Sequence, residues 1–259
     1  MELLNIDLVD INYKLIGEIN RKRNNFYRKI IYDIEKNSSG LFKTFLKNFQ
    51  TLQDMMKMKS AKQEAASKEE LKIYLNNLHN ALDYVVEKVS ENKIFSDHHE
   101  IIFLHNLIDP TAHQQHPNEY RNTLVMVGNH LAPEPERIFS LMNNLMYNLD
   151  NIANPLVKAI YAHHEIVRIH PFVDGNGRTA RLVMNWILMY ELFPPVFIKT
   201  AECRRNYIKD LDQSFSHLET DPESPNDATN RFFNDEIQRV NLSVDFLIKT
   251  MKEKHPNKF

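Results

Sequence analysis

Cysteine is all but missing from this chain: Cys203 stands alone among 259 residues. That excludes an internal disulfide and a thiolate zinc site, and it suits a reducing compartment. Glycine is scarce as well, with 5 residues where average usage near 7% would give roughly 18. Charge of one sign is lacking too, since 32 basic residues face 34 acidic ones for a net charge of −2. This argues against a surface built to grip polyanions and so against nucleic acid as a partner, while a local basic pocket stays open. No run of about 20 uncharged apolar residues occurs, which excludes a membrane-spanning helix. The start, Met1-Glu2-Leu3-Leu4-Asn5-Ile6-Asp7, has no basic opening or apolar stretch of the kind a leader carries. The expectation is a soluble, cytoplasmic protein without a membrane partner; a secreted effector role stays open.

What is there is helical. The composition is 42% hydrophobic and 25% charged, enough to build a sizeable core and unlike a disordered chain. Apolar residues recur at helical spacing. Leu8, Ile11, Leu15 and Ile19 make a thin stripe, Phe42, Phe45, Leu46, Phe49 and Leu52 a fuller one, and Leu71 through Val89 a stripe of five turns. Ile101, Leu104 and Ile108 continue the pattern to Asp109-Pro110, where proline stops it. A polar stretch follows to Glu119. Helices resume after Pro133 and Pro135, through Ile138 to Leu145 and Leu156 to Val167, with a last one around Phe232, Ile237 and Val240 beyond a polar loop at 219–227. Residues 120–131, with Leu124, Val125 and Val127 before Gly128-Asn129, carry the one strand signal and predict a short two-stranded flap. An irregular loop is the other reading.

Two of the five glycines flank a single residue, Asn176, in a chain that otherwise avoids them. Such clustering suits a backbone that must turn tightly or approach a ligand closely. Gly175-Asn176-Gly177 precedes Leu182, Val183, Trp186 and Met189, the buried face of a helix, and so sits at that helix's N-terminus. There the free N–H groups and the positive end of the macrodipole favour an anion. Arg178 and Arg181 leave the same helical face. The three elements together form a phosphate cradle, distinct from the P-loop with its Lys-Ser/Thr. Asp174 is a hard oxygen ligand placed to hold Mg²⁺ against the phosphates. His170, four residues earlier, is placed to take a proton from an incoming hydroxyl. These roles suggest phosphoryl or nucleotidyl transfer.

At these residues the chain resembles the Fic (Fido) domain family, whose signature is H-x-F-x-(D/E)-G-N-G-R-x-x-R. His170, Phe172, Asp174, Gly175, Asn176, Gly177, Arg178 and Arg181 fill every specified position. The resemblance runs over roughly residues 60 to 215 and includes Tyr120-Arg121, Ala132-Pro133-Glu134-Pro135, Leu182-Val183-Met184-Asn185 and Pro194-Pro195. It implies an all-α fold, a helical bundle with a short β-hairpin flap beside the active site. The implied activity is a protein adenylyltransferase moving AMP from ATP to a Ser, Thr or Tyr hydroxyl of a protein substrate, with ATP and Mg²⁺ as cofactors. By position, His170 is the general base, Asp174 the Mg²⁺ ligand, and Gly175, Asn176, Gly177 and Arg178 the cradle of the nucleotide phosphates. Arg181 meets the γ-phosphate, and Phe172 anchors the loop. Tyr207 resembles a family tyrosine near the adenine; a core tyrosine is its other reading. Val125, Met126 and Val127 belong to the flap that docks the target by adding it as a strand.

The resemblance also implies a regulatory device. Ser60-Ala61-Lys62-Gln63-Glu64-Ala65 matches the serine and glutamate of a (S/T)-x-x-x-E-(G/N) inhibitory helix, though not its last position. Glu64 would pair with Arg181 and deny the γ-phosphate its place. De-AMPylation by the same site stays open, as does a homodimer. The expected organisation is an N-terminal helical region at 1–58, a Fic core at 59–215 with the inhibitory helix at its start, and a C-terminal loop and helix at 216–259. Three alternatives accompany the main reading: a phosphocholine or other nucleotidyl transferase, a nucleotide-binding interaction protein without catalysis, and a metal hydrolase on His163, His164 and Glu165. The last lacks a His-Glu-x-x-His spacing.

Overall fold

Local capping chemistry sets most of the element boundaries. In the computed structural model, which describes residues 2–37, 68–111, 119–196 and 201–254, Asn5 caps a single 3₁₀ turn at Ile6–Leu8 through Asp7 N–H. The Asn12 side chain then accepts from Leu15 N–H at 3.0 Å and opens α1, Tyr13–Asn37. The thin stripe expected from Leu8 onward therefore begins too early, and Leu8 is exposed. Residues 10 and 12 are instead tied by their N–H groups to Asn230 and Asn234 far along the chain, so tertiary contacts outweigh the apolar periodicity there.

The remaining helices are α2 Lys68–Ser90, α3 His98–Ile108, α4 Pro135–Asn151, α5 Pro155–Ile169, α6 Asn176–Tyr190, α7 Ala201–Leu218 and α8 Asp227–Lys254. Pro135 and Pro155 each sit in the first turn, where a missing N–H costs nothing. Asn154 adds a side-chain cap to Leu156 and Val157 N–H groups. Asp97 caps α3 in the same way. The stripe at Phe42–Leu52 and the Ser60–Glu64 segment lie outside the described residues.

Helix α5 is buried on every face from Leu156 to Ile169, apart from a half-buried Lys158, and packs most extensively against α6. Around this pair, α4, α3, α2 and the α7–α8 hairpin close the core. Helix α1 lies against α8, where Lys22 reaches Asp245 at 2.7 Å and Arg23 lies over the Phe193 ring at 4.2 Å. Leu4, Ile16, Ile19 and Phe26 share one hydrophobic core with the central helices and with α8. The described parts of 1–58 and 216–259 are thus packed on the centre. No helix among the described residues is long and apolar enough to cross a membrane.

The predicted flap is a two-stranded antiparallel hairpin, β1 Met126–Val127 and β2 His130–Leu131, in the register Met126 with Leu131 and Val127 with His130. Gly128 supplies the positive φ of 62° at its turn. The strands are shorter than the sequence suggests, because the Arg121 N–H is bonded to Pro171 in the loop after α5 and the Thr123 carbonyl accepts from the Arg121 guanidinium rather than from a neighbouring strand.

Candidate active site

The site is built at the corner between the two central helices. Helix α5 ends with His170 in the left-handed region, φ 51° and ψ 58°, its N–H returning to the Ile166 carbonyl. That turn swings the imidazole away from the helix axis. Its Nδ1–H donates to the Val167 carbonyl at 3.2 Å, which leaves the Nε2 lone pair free to accept a proton. Burial lowers the imidazole pKa to about 4. The Val167 hydrogen bond and Asp174 oppose that fall, while Arg121 and His130 reinforce it. At neutral pH the ring is an uncharged base.

Residues 171–175 are then folded back to the start of α6. Asn176 holds them: its Oδ1 accepts from Phe172 N–H at 2.9 Å and its Nδ2 donates to Phe172 O at 2.8 Å. Its buried side chain is thus spent on the loop, which leaves its backbone N–H as the group available to an anion. Phe172 is the anchor expected, stacked under His105 with centroids 3.7 Å apart. His105 Nε2–H donates to the Asp174 carbonyl at 2.8 Å. Gly175 caps α6 with φ 77° and no side-chain hydrogen bond, and a Cβ there would lie 3.0 Å from His105 Nε2. Gly177 in turn leaves room for Arg181, whose Nη1 would meet an added Cβ at 3.3 Å. The result is a helix N-terminus with its first N–H groups uncapped and two glycines stripped of obstruction.

Around this N-terminus the charged groups are held against one another. Arg178 Nη2 donates to Asp174 Oδ2 at 3.1 Å and to Asp109 Oδ2 at 3.4 Å, and the guanidinium lies 4.8 Å from the Tyr74 ring centroid. The Asp174 side chain is 78% exposed, a hard oxygen donor open to solvent. Among the described residues no group of three or more His, Cys, Asp or Glu could cage a metal ion. A divalent ion here would draw its other oxygens from a polyphosphate and water, the usual way Mg²⁺ is held, and one exposed carboxylate fits that.

Tyr207 sits apart from the role expected by position. It is buried, its hydroxyl 2.9 Å from His163 Nε2 and its ring stacked on His163, with Arg239 6.0 Å from the ring centroid. Burial raises the phenol's pKa, and the nearby Arg181 charge opposes that rise. The ring thus packs against His163 and Phe232 in the core. The same cluster contains Glu236, whose carboxyl burial pushes up to about 7 against the pull of Arg239 and Arg181. His164 and Glu165 have protein partners, Ser214 and Arg168 among them, so their lone pairs serve the core rather than a metal.

The flap is fixed beside His170. Asp212 on α7 accepts from Asn129 N–H at 2.8 Å and from Asn129 Nδ2 at 2.9 Å. Glu219 accepts from Leu131 N–H and from His130 Nδ1–H, both at 2.8 Å. These bonds consume the β2 side of the hairpin and leave the β1 edge, with Val125 half-buried and Met126 exposed, as the side where an added strand can pair. Sequence reasoning missed His105, Asp109, Arg121, Asp212, Glu219 and Glu236. Arg121 falls in the Tyr120-Arg121 pair of the resemblance, which gave it no role; the others lie in no recognisable motif, and each reaches the site only through the fold.

A family model described as Fic/DOC family matches residues 95–188. The protein adenylyltransferase Fic of Nematostella vectensis is 38% identical over 141 residues, which is 53% of this chain and 33% of that protein. That of Drosophila grimshawi is 38% identical over 112 residues, 42% of this chain and 23% of that one. The chain thus spans a third or less of the length of these curated relatives. In structure it is similar to a Fic domain containing signaling protein from Bacteroides thetaiotaomicron, with a TM-score of 0.69 at 19% identity over 92% of this chain and 98% of that one. It is also similar to Fic-1 from C. elegans, with a TM-score of 0.63 at 20% identity over 93% and 73%. These two likenesses concern the fold.

Proposed function

We propose that this chain is a Fic/DOC-family protein adenylyltransferase that moves AMP from ATP to a hydroxyl of a protein substrate, a reading supported by the family match over residues 95–188 and by the curated relatives. One observation carries the reading: a neutral imidazole with a free Nε2, His170, faces an uncapped helix N-terminus flanked by Gly175, Gly177 and Arg178. Such an arrangement serves an in-line displacement at phosphorus better than hydrolysis by a metal cage or simple anion storage.

In this mechanism the triphosphate lies against the N–H groups of Asn176, Gly177 and Arg178, and Arg178 exchanges its carboxylate partners for phosphate oxygens. Arg181 meets the γ-phosphate. Asp174 would hold Mg²⁺, which supplies charge neutralisation to the polyphosphate. The target segment adds to the free β1 edge of the hairpin at Val125, Met126 and Val127, so that main-chain hydrogen bonds set its hydroxyl in register. His170 Nε2 takes the hydroxyl proton as the oxygen forms its bond to the α-phosphorus. The bond from that phosphorus to the bridging oxygen breaks, and pyrophosphate leaves.

The test is intact mass spectrometry of the full chain, alone and with lysate protein, after incubation with Mg²⁺ and ATP, GTP, UTP or CDP-choline in turn. Addition of AMP from ATP, lost in His170→Ala, is the expected result. Phosphocholine addition would transfer the reading to the alternative donor, and no adduct from any of them would reject transfer. Glu64, outside the described residues, is carried in the same proposal as a carboxylate competing with the γ-phosphate for Arg181. Glu64→Gly should then raise self-labelling, and an unchanged rate would reject that device alone.

A further inference from the structure

Among the described residues, Arg121 is the one large cation buried against carbonyls instead of a carboxylate. It is 2% exposed, and its side-chain hydrogen bonds all end on main-chain oxygens. Nε donates to His170 O at 2.7 Å, Nη1 to Thr123 O at 2.6 Å, and Nη2 to Pro133 O at 2.6 Å and Ile169 O at 3.3 Å. Its own N–H donates to Pro171 O at 2.9 Å. A buried charge is costly unless its donors are satisfied, and here satisfaction comes from two separate places. Ile169 and His170 carry the unpaired carbonyls at the C-terminal end of α5, where the helix dipole is negative and a cation is favoured. Thr123 and Pro133 bracket the hairpin on either side, one entering it and one leaving.

A single rigid fork therefore spans the main chain of the base and both feet of the flap. His170 is held in a left-handed conformation, φ 51°, which a residue with a side chain adopts only when its surroundings over-determine it. The hairpin, with only two residues in each strand, is too short to hold itself in place. Asp212 and Glu219 fix its tip and outer side to α7 and the residue just after it; the His130 ring reaches the Arg168 carbonyl in the last turn of α5 at 3.2 Å, and Arg121 ties both feet of the hairpin to the Ile169 and His170 carbonyls beyond it.

We propose that Arg121 is a positioning residue that sets the distance between the hairpin, on which the acceptor segment docks, and the imidazole of His170 that receives the acceptor's proton. This rests on the transferase reading. Its physical content is that the guanidinium's separated donors, not its charge alone, perform the task. A lysine ammonium concentrates its donors at one nitrogen and cannot bridge four carbonyls set this far apart.

Arg121→Ala leaves several buried carbonyls unpaired and is at risk of not folding, so Arg121→Lys is the decisive variant. Two measurements are made on the full chain below its unfolding temperature. In the first, amide exchange followed by NMR should be about tenfold faster at residues 121 and 132, whose N–H groups bond Pro171 and Val125 carbonyls, and unchanged at Val240 and Val244 in α8. In the second, self-labelling from Mg²⁺·ATP should fall by about 100-fold in kcat with KM for ATP within about twofold, the cost of roughly an ångström of misplacement. Unchanged exchange in a folded variant, or a kcat within twofold of the parent, would overturn the proposal. So would a parallel loss in kcat and ATP affinity, which would mark a collapse of the phosphate cradle. If the parent chain labels nothing from ATP, the transferase reading fails on that result, and the exchange measurement still decides whether Arg121 clamps the two segments.

Discussion

The acid limb of the reaction should lie far below the ordinary histidine range, because the same burial that makes His170 a neutral base also sets when it stops being one. Its pKa falls to about 4, with burial the largest cause, Arg121 and His130 adding to the fall, and the Val167 hydrogen bond and Asp174 resisting it. A base with that value is about 97% neutral at pH 5.5, whereas an imidazole at the ordinary 6.5 is about 9% neutral, a difference of roughly tenfold in rate. Self-labelling with saturating Mg²⁺·ATP between pH 4.5 and 8 therefore stays near its plateau down to about pH 5. The stability sign follows from the same shift. The folded pKa lies below the unfolded one, so the unfolded state binds more protons between about 4 and 6.5. His170's contribution is full above about 6.5 and is lost as pH falls toward 4. A 2.5-unit shift would be about 3 kcal/mol for a fully enclosed ring; discounted for partial exposure it is about 2 kcal/mol. Denaturant titrations of the parent and His170→Ala at pH 7 and pH 5 read about half of this difference, because that window ends a unit above the folded value. A rate limb centred near pH 6.5 would refute the reasoning, because it would mean that the imidazole is solvated like an ordinary one.

Much of this site is written in residues whose chemistry acts locally. Gly175 and Gly128 mark two positive φ values, 77° and 62°, that a chain so poor in glycine would not place by accident. Pro135, Pro155 and Asn154 set helix starts through their own covalent and hydrogen-bonding limits, and the His170–Arg181 motif forms one corner because its parts are close in sequence. What stayed hidden acts across long separations. His105 reaches the Asp174 carbonyl over 69 residues and Arg121 reaches the His170 carbonyl over 49, and no local pattern gives either of them its role. Tyr207 shows the converse. Its position matched a family role, and in the fold His163 takes its hydroxyl and stacks on its ring. The early stripe failed for a related reason, since side chains of α8 hold residues 10 and 12 in place before α1 starts.

Three further perturbations test the geometry piece by piece. Asp212→Ala removes both hydrogen bonds to Asn129 and should lower protein labelling about tenfold through a mobile hairpin while leaving Mg²⁺·ATP affinity by calorimetry unchanged; equal losses would place Asp212 in nucleotide binding. Gly175→Ala forces a side chain to φ 77° with its Cβ 3.0 Å from His105 Nε2. It should cost about 2 kcal/mol in denaturant titration, and a variant as stable as the parent would show that the turn can relax. The last concerns Glu236, which is 2% exposed and has its carboxyl pushed up to about 7 by burial, against the pull of Arg239 and Arg181. Because the folded pKa lies above the unfolded one, its stabilising contribution is fully present below about 4.5 and lost as pH rises through about 7. Over the same interval a negative charge grows beside the arginine that meets the γ-phosphate in the proposed mechanism. One unit charge several ångströms away, at an effective dielectric near 20 and screened by Arg239, is worth about 1 kcal/mol, or about fivefold in Mg²⁺·ATP affinity between pH 6 and pH 8. Glu236→Gln keeps the volume and removes the titration, so its affinity should be flat across that range and equal to the parent's at pH 6. A Glu236→Gln protein that keeps the parent's slope would show that another group carries the dependence and that Glu236 does not act on Arg181.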